Sequence, residues 1–363
     1  MTELSDLPLR ADLVGRTPYG APQISVPVRL NVNENTHRVP EPVALNIIER
    51  IAEAVLNVNR YPDRDFTSLR QALAKYVGHG AAENQIWAAN GSNEVLQHIF
   101  QAFGGPGRSA LSFVPSYSMY SLLAQGTGTQ FIGVERGQDF ELTEQLARDA
   151  IRANKPEIVL ICSPNNPTGT PVSLEVIAAA YEELQSTSGG VLVVDEAYAE
   201  FAHQPEQTSI TLLEGRPKLL VSRTMSKAFA FAGARLGYLI ADPAVCDALR
   251  LVRLPYHLSS FTQAAAEAAL AHSDELLANV ADIKLQRDRI VSDLTAMGLK
   301  AYKSDSNFVL FGELDDPQLV WQELLERGVL IRNVGIDGTL RVSAGTEAET
   351  TAFLEALREV LAR

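Results

Sequence analysis

The chain has 363 residues, 46% of them apolar, enough to bury a large core and to divide into one big domain and a smaller one. Its 44 acidic residues against 31 basic ones leave a formal net charge of −13, which argues against nucleic acid or an anionic membrane as a partner, since either needs a basic surface. No run reaches the length of about 18 apolar residues that a membrane span needs, and the N-terminus MTELSDLPLR is polar and acidic where a secretory leader would be basic and then apolar, so the expected compartment is the cytoplasm.

In chain order, the first forty residues are rich in Pro and Asn and are expected to form an extended arm that packs on another element. NRYPDRD (Asn59 to Asp65) offers the hydroxyl of Tyr61 on a Pro-braced loop, and a helix is expected over 67–78. NGSNEVL (Asn90 to Leu96) is a Gly-Ser turn opening a helix over 93–103. Backbone N–H groups and the positive end of the helix dipole could hold an anion there, although on these residues alone Ser92 or Asn93 as a plain helix cap is the favoured reading. PSYSMY (Pro115 to Tyr120) carries aromatic rings that either fill the core or stack on a ligand.

The centre of the chain alternates short apolar runs with helical patterns, which predicts an α/β fold with a parallel sheet. The buried strands are IVLIC (Ile158 to Cys162), VLVVDE (Val191 to Glu196), KLLVSR (Lys218 to Arg223) and LGYLIA (Leu236 to Ala241). Helices are expected over 173–186 and 243–252. SPNNPTG (Ser163 to Gly169) leaves the first of these strands; it is a turn former, and Asn166 is also an amide donor suited to a phenolate oxygen. Asp195 stands at the end of an apolar strand, where a carboxylate is costly unless paired. It could cap the following turn or pair with a protonated ring nitrogen, with Tyr198 three residues on. SRTMSKAFAFAGAR (Ser222 to Arg235) surrounds Lys227 with Thr224, Ser226 and Arg235, an amine for a carbonyl beside donors for a phosphate.

A long helix over 260–296, broken near His272 to Leu276, leads into a last third of different style. NFVLFGEL, a helix around Pro317 to Arg327, GVLIRNVG, TLRVSAGT and a terminal helix from Glu347 predict a small α+β domain. Arg332 and Arg341 there are candidate anion clamps or ordinary surface charges. The two cysteines, Cys162 and Cys246, and the six histidines form no CxxC, HExxH or HxH pattern, so reduced thiols and no metal are expected.

Taken in order, NEN near the start, RYPD, GSNE, SPNNPTG, DEAY, SKAFxxAGxR and LRVS resemble the fold-type I pyridoxal-phosphate-dependent aminotransferases, from about Asn33 to Thr346. RTMSKAF, LVRLPYHLS and YGAP narrow the resemblance to the histidinol-phosphate aminotransferases, a class II subgroup. The resemblance implies a mostly parallel seven-stranded sheet with helices on both faces plus a small α+β domain. It implies an arm over 1–40 that joins the small domain, a large cofactor-binding domain over 41–255, and a connecting helix with a small domain over 256–363. Pyridoxal 5'-phosphate would form a Schiff base with Lys227, which would then act as general base and acid. Asp195 would pair with the pyridine nitrogen, Asn166 and Tyr198 would bind the ring oxygen, and Tyr117 would stack on the ring. Ser92, Asn93, Thr224, Ser226 and Arg235 would hold the phosphate together with Tyr61 from the partner subunit of a homodimer. Arg341 and Arg332, with Tyr19, Asn33 and Asn166, would bind the anionic end of the substrate, and Tyr120 and Tyr256 would meet an imidazole.

The implied reaction converts L-histidinol phosphate and 2-oxoglutarate to imidazole-acetol phosphate and L-glutamate. An aromatic amino-acid aminotransferase needs the same cofactor residues and stays open as the alternative. A ligand-sensing module of a transcription regulator is disfavoured, because no basic N-terminal extension is present. The chain departs from many relatives after NEN, reading Thr36-His37-Arg38 where they continue with Pro, which bears on the shape of the entry arm.

Overall fold

A computed structural model describes residues 3–18 and 20–362. Its strands among the described residues are β1 (Val28–Arg29), β2 (Ile86–Ala89), β3 (Ser109–Val114), β4 (Gln130–Glu135), β5 (Ile158–Cys162), β6 (Val191–Asp195), β7 (Leu219–Thr224), β8 (Gly237–Ile240), β9 (Lys300–Ala301), β10 (Phe308–Gly312), β11 (Val329–Leu330) and β12 (Leu340–Ser343). Seven of them make one sheet in the order β2-β8-β7-β6-β5-β3-β4. The continuous apolar runs of β5 and β6 are buried along their whole length, because helices cover both faces of this sheet. Alternate residues serve opposite faces: Ile158, Leu160 and Val193 join a cluster with Trp87, Phe100 and Phe229, while Val159, Ile161, Leu192 and Val194 join Leu111 and Phe113 on the other side.

The sheet is parallel from β4 to β7, but β8 runs antiparallel to both β7 and β2. A parallel return needs a crossover, usually a helix that traverses the sheet. The segment between Thr224 and Gly237 instead holds Lys227 and only a short 3-10 turn, Ala232–Ala234, so the chain doubles back. One chemical loop therefore sets the sense of a strand.

The helices expected near 67–78, 93–103, 173–186 and 243–252 span Thr67–Val77, Ser92–Phe103, Leu174–Ser186 and Pro243–Val252. The long helix is broken twice, giving Ser260–Ala271, Ser273–Leu277 and Val280–Ala296. In the last third, β12-β10-β9 form an antiparallel sheet, and Phe308, Phe311, Phe353 and Leu354 build its core with the helices Val280–Ala296 and Glu347–Leu361. Leu30 joins that core, and β1 of the N-terminal arm pairs in parallel with β11, so the arm is tied to the last third of the chain.

Candidate active site

The register Cys162↔Asp195↔Ser222 aligns the C-terminal ends of β5, β6 and β7, and the loops leaving them converge on one crevice, as in open α/β sheets generally. The cavity there has a volume of about 460 Å³. Lys227, Asp195, Asn166, Tyr198, Ser92, Asn93, Tyr117, Thr224, Ser226, Arg235, Asn33, Arg332 and Arg341 all line it.

Lys227 is delivered by the loop after β7, and its Nζ donates to the Val32 carbonyl at 3.1 Å. Burial, seconded by Arg341 and Arg235 and opposed by Glu34, lowers its pKa to about 8. About a tenth of the amine is thus unprotonated at pH 7, far more than for a lysine of ordinary pKa.

Asp195, 2% exposed, ends β6. Its Oδ2 accepts the Tyr120 hydroxyl at 2.9 Å, while its buried Oδ1 has no hydrogen-bond partner among the described residues. Burial raises its pKa to about 6, against the pull of the Tyr120 hydroxyl and the Ala197 N–H. An orphaned buried carboxylate oxygen at a cavity wall is costly unless something cationic or protonated meets it.

Tyr198 accepts from Asn33 Nδ2 at 3.0 Å and from Asn166 Nδ2 at 3.3 Å, and burial pushes its phenol up to about 12. Asn166 Oδ1 in turn accepts from Arg341 Nη1 at 2.5 Å, and Arg341 Nη2 reaches the Asn31 carbonyl at 3.1 Å. The Phe308 ring lies under the Arg341 guanidinium, 4.9 Å away. Arg332 and Arg341 exchange both backbone hydrogen bonds at 2.9 Å, which sets the two cationic residues side by side at the cavity.

At another corner the helix Ser92–Phe103 begins, its N-cap Gly91 offering no side-chain cap, so its first N–H groups are open to an anion. Thr224 Oγ1 and Ser226 Oγ stand 3.0 Å apart, and Arg235 Nη1 donates to Ser226 Oγ at 3.4 Å. Arg235 holds φ 58, a left-handed conformation unusual for a side chain of this size, which brings its guanidinium over the helix start. The packing there requires two glycines: a Cβ on Gly91, φ 83, would lie 2.4 Å from Arg235 Nη2, and one on Gly237 would lie 2.1 Å from the Ser92 amide. Tyr117 presents its ring to the cavity and donates from its hydroxyl to Asn93 Oδ1 at 3.0 Å. An amine, an unpaired carboxylate oxygen, a cationic cradle and an aromatic face fit a flat phosphorylated heteroaromatic aldehyde.

Three expected residues, Tyr120, Tyr256 and Tyr61, do not line this cavity. Tyr120 is fully buried and stands behind Asp195, so it does not touch the substrate space: the first turn of the helix Met119–Thr127 points it into the core, whereas Tyr117, just before that helix, faces the cavity. Tyr256 stacks on Tyr61 with ring centroids 4.4 Å apart, and neither lines the cavity of its own chain; Tyr61 is 79% exposed. Tyr19 lies outside the described residues. Sequence reasoning missed the Val32 carbonyl, Asn31 and Glu34, and from the last third Asn333. The carbonyl leaves no mark in a side-chain pattern, but Asn31 and Glu34 flank the Asn33 that was read. Among the described residues no group of three His, Cys, Asp or Glu side chains could hold a metal ion, and no helix is long and apolar enough to cross a membrane.

A mostly parallel seven-stranded sheet with a partly buried lysine in the loop between β7 and β8 defines a transferase of the fold-type I kind. Residues 25–357 match the model of the aminotransferase class I and II family, and the chain belongs to that family. It is 60% identical to a histidinol-phosphate aminotransferase of Paenarthrobacter aurescens over 361 residues, covering 99% of this chain and 97% of that one. A histidinol-phosphate aminotransferase of Frankia casuarinae is 55% identical, with 98% and 90% covered. Among solved structures, the histidinol-phosphate aminotransferase of Sinorhizobium meliloti in complex with pyridoxal-5'-phosphate superposes with a TM-score of 0.84 at 27% identity, covering 93% of this chain and 91% of that one.

Proposed function

We propose that the protein is a pyridoxal-phosphate-dependent aminotransferase of histidine biosynthesis. It moves the amino group of L-histidinol phosphate to 2-oxoglutarate, giving imidazole-acetol phosphate and L-glutamate. The observation that carries this reading is one cavity that holds a partly buried lysine of lowered pKa, an unpaired Asp195 oxygen and an anion cradle, with two arginines beside them. The histidinol-phosphate aminotransferases that match nearly the whole chain support the substrate.

Bound pyridoxal phosphate supplies an electron sink for the bonding pair of the carbon next to the amino nitrogen. Lys227 Nζ is the amine that would hold the aldehyde and that, when free, would take the proton from that carbon and return it one position along. Asp195 Oδ1 holds its negative charge against the ring nitrogen. Asn166 and Tyr198 would orient the ring oxygen, and Tyr117 would cover one face of the ring. The open N–H groups of Ser92 and Asn93, with Thr224, Ser226 and Arg235, would hold its phosphate. Arg332 and Arg341, with Asn33 and Asn166, bind the anionic end of each substrate in turn, the phosphate ester of histidinol phosphate and a carboxylate of glutamate.

The working unit is a homodimer. The helix Glu41–Val55 packs on Ser260–Ala271 and leaves Leu45, Ile48 and Val55 exposed; Leu56, Val58, Leu251 and Leu254, close in sequence to the stacked Tyr61 and Tyr256, add to the exposed apolar surface. A second copy would cover it, and Tyr61, outside its own cavity, would reach the partner's phosphate site. The large domain spans 41–255, and the arm 1–40 works with the connecting helix and small domain of 256–363. The setting is the cytoplasm, in keeping with the acidic charge.

The half-reactions test the chemistry. Histidinol phosphate added to the loaded protein bleaches the aldehyde-form absorbance, and 2-oxoglutarate restores it; loss of carbon dioxide, or of a substituent from the donor, in place of this cycle would overturn transamination.

A further inference from the structure

We propose that Tyr120 is the positioning residue that keeps Asp195 ionised against the cofactor ring, so that the ring proton stays on nitrogen. The inference rests on the transaminase reading above and concerns a side chain that touches neither substrate nor cofactor.

The geometry is specific. Asp195 has two oxygens with different surroundings: Oδ1 is buried and unpartnered among the described residues, and Oδ2 takes the Tyr120 hydroxyl at 2.9 Å. Tyr120 is fully buried, and its ring meets Tyr117 edge-on at 5.6 Å and 89°. The segment Tyr117 to Tyr120 therefore covers the cavity with one ring and braces the carboxylate behind it with the other. Burial alone favours a protonated Asp195; a donor that cannot itself lose its proton favours the ionised form. Tyr120 meets that condition, because burial and the neighbouring Asp195 charge hold its phenol well above the usual range.

The other ionisable groups that face Asp195 do not replace it. Cys162, its register partner on β5, is pushed up to about 12 by burial and stays a thiol, donating to the Pro164 carbonyl. Tyr198 on the same segment is likewise held up at about 12. Glu196, next in sequence, makes Asp195 harder to ionise, and its own charge goes to Arg223 at 2.8 Å. On the β7 side the register partner is the neutral Ser222. Tyr120 is thus the side-chain donor among the described residues that offsets burial at this carboxylate.

Removing the hydroxyl makes the carboxylate more basic, and a more basic carboxylate draws the shared proton from the ring nitrogen. The test uses full-length protein loaded with pyridoxal phosphate labelled with ¹⁵N in the ring, read by NMR at fixed pH, in the wild type, Tyr120→Phe, Asp195→Asn and the double variant. The wild type is expected to show the pyridinium shift, and Tyr120→Phe a shift moved toward the unprotonated value. In the same variant kcat falls by about tenfold or more, the size of one charge-assisted hydrogen bond, while KM for the amino donor barely moves. In the Asp195→Asn background the Phe substitution adds nothing further. A Tyr120→Phe protein that fails to fold until Asp195→Asn is added supports the same role, since the unbraced buried charge is then the cause. A pyridinium shift unchanged in Tyr120→Phe, or a loss of rate or folding that is the same in both backgrounds, would make Tyr120 core filler and overturn the inference. Failure of the labelled cofactor to bind the wild type would instead contradict the transaminase reading on which it rests.

Discussion

At Lys227 the deciding quantity is the balance between burial, Arg341 and Arg235 on one side and Glu34 on the other, which leaves the amine with a pKa of about 8 against an ordinary 10.5. Only the neutral amine attacks an aldehyde, so the sign is fixed: capture of pyridoxal phosphate by cofactor-free protein accelerates as pH rises toward 8, by about tenfold per unit, and levels off above it. Stopped-flow absorbance over pH 6 to 9 checks this, and a rate still climbing steeply at pH 9 would contradict it. Lys227→Ala is expected to lose both the visible absorbance and turnover; a borohydride-reducible adduct at another lysine would refute that. Lys227, Asp195 and Arg235 were legible in the sequence because each needs an expensive residue type in an apolar or small-residue setting. Tyr120 was misread as a substrate contact because a tyrosine between Met119 and Ser121 carries no sign of which way it turns, and here the helix points it into the core, behind Asp195.

At the scale of elements, the start of the helix Ser92–Phe103 and the end of the β7 to β8 loop press on each other so closely that a Cβ on Gly237 would meet the Ser92 backbone, and one on Gly91, at φ 83, would displace the Arg235 guanidinium. Gly91→Ala would force a Cβ to within 2.4 Å of the Arg235 guanidinium, at φ 83. The expected result is a cost of about 1–3 kcal/mol in stability and a cofactor dissociation constant raised by about tenfold or more, read by thermal denaturation and by titration of cofactor-free protein. Unchanged affinity would remove Arg235 from the phosphate site. Strands β5 to β8 were readable because runs such as IVLIC and VLVVD are buried on both faces. The edge strand β4, with Gln130, Ile132 and Glu135 only partly covered or exposed, and the helix Glu41–Val55, with its apolar residues partly in the open, gave no such run and went unread. The reversal of β8 was unreadable for another reason: direction depends on what the connecting loop must do, and this one is occupied by Lys227.

At the scale of the molecule, large apolar side chains stand exposed at Leu45, Ile48, Leu56, Leu251 and Leu254, with Leu56 81% exposed, which a second copy would cover. Sedimentation equilibrium is expected to give twice the mass of 39.5 kDa, and charged substitutions at Leu56 and Leu254 together should release monomers with weakened cofactor binding. A wild-type monomer that turns over at full rate would sink the proposal that Tyr61 completes the partner's site. The motif order made the fold and cofactor legible along almost the whole chain. Substrate choice was less so, because it depends on what Arg332, Arg341 and Asn333 jointly enclose. Catalytic efficiency of the purified protein therefore tests the central claim most directly, with L-histidinol phosphate and 2-oxoglutarate measured against phenylalanine or tyrosine and the same acceptor. A kcat/KM for histidinol phosphate higher by about a hundredfold or more, as a bound phosphate ester should confer, is the predicted result; equal or greater efficiency with the aromatic donors would contradict the account.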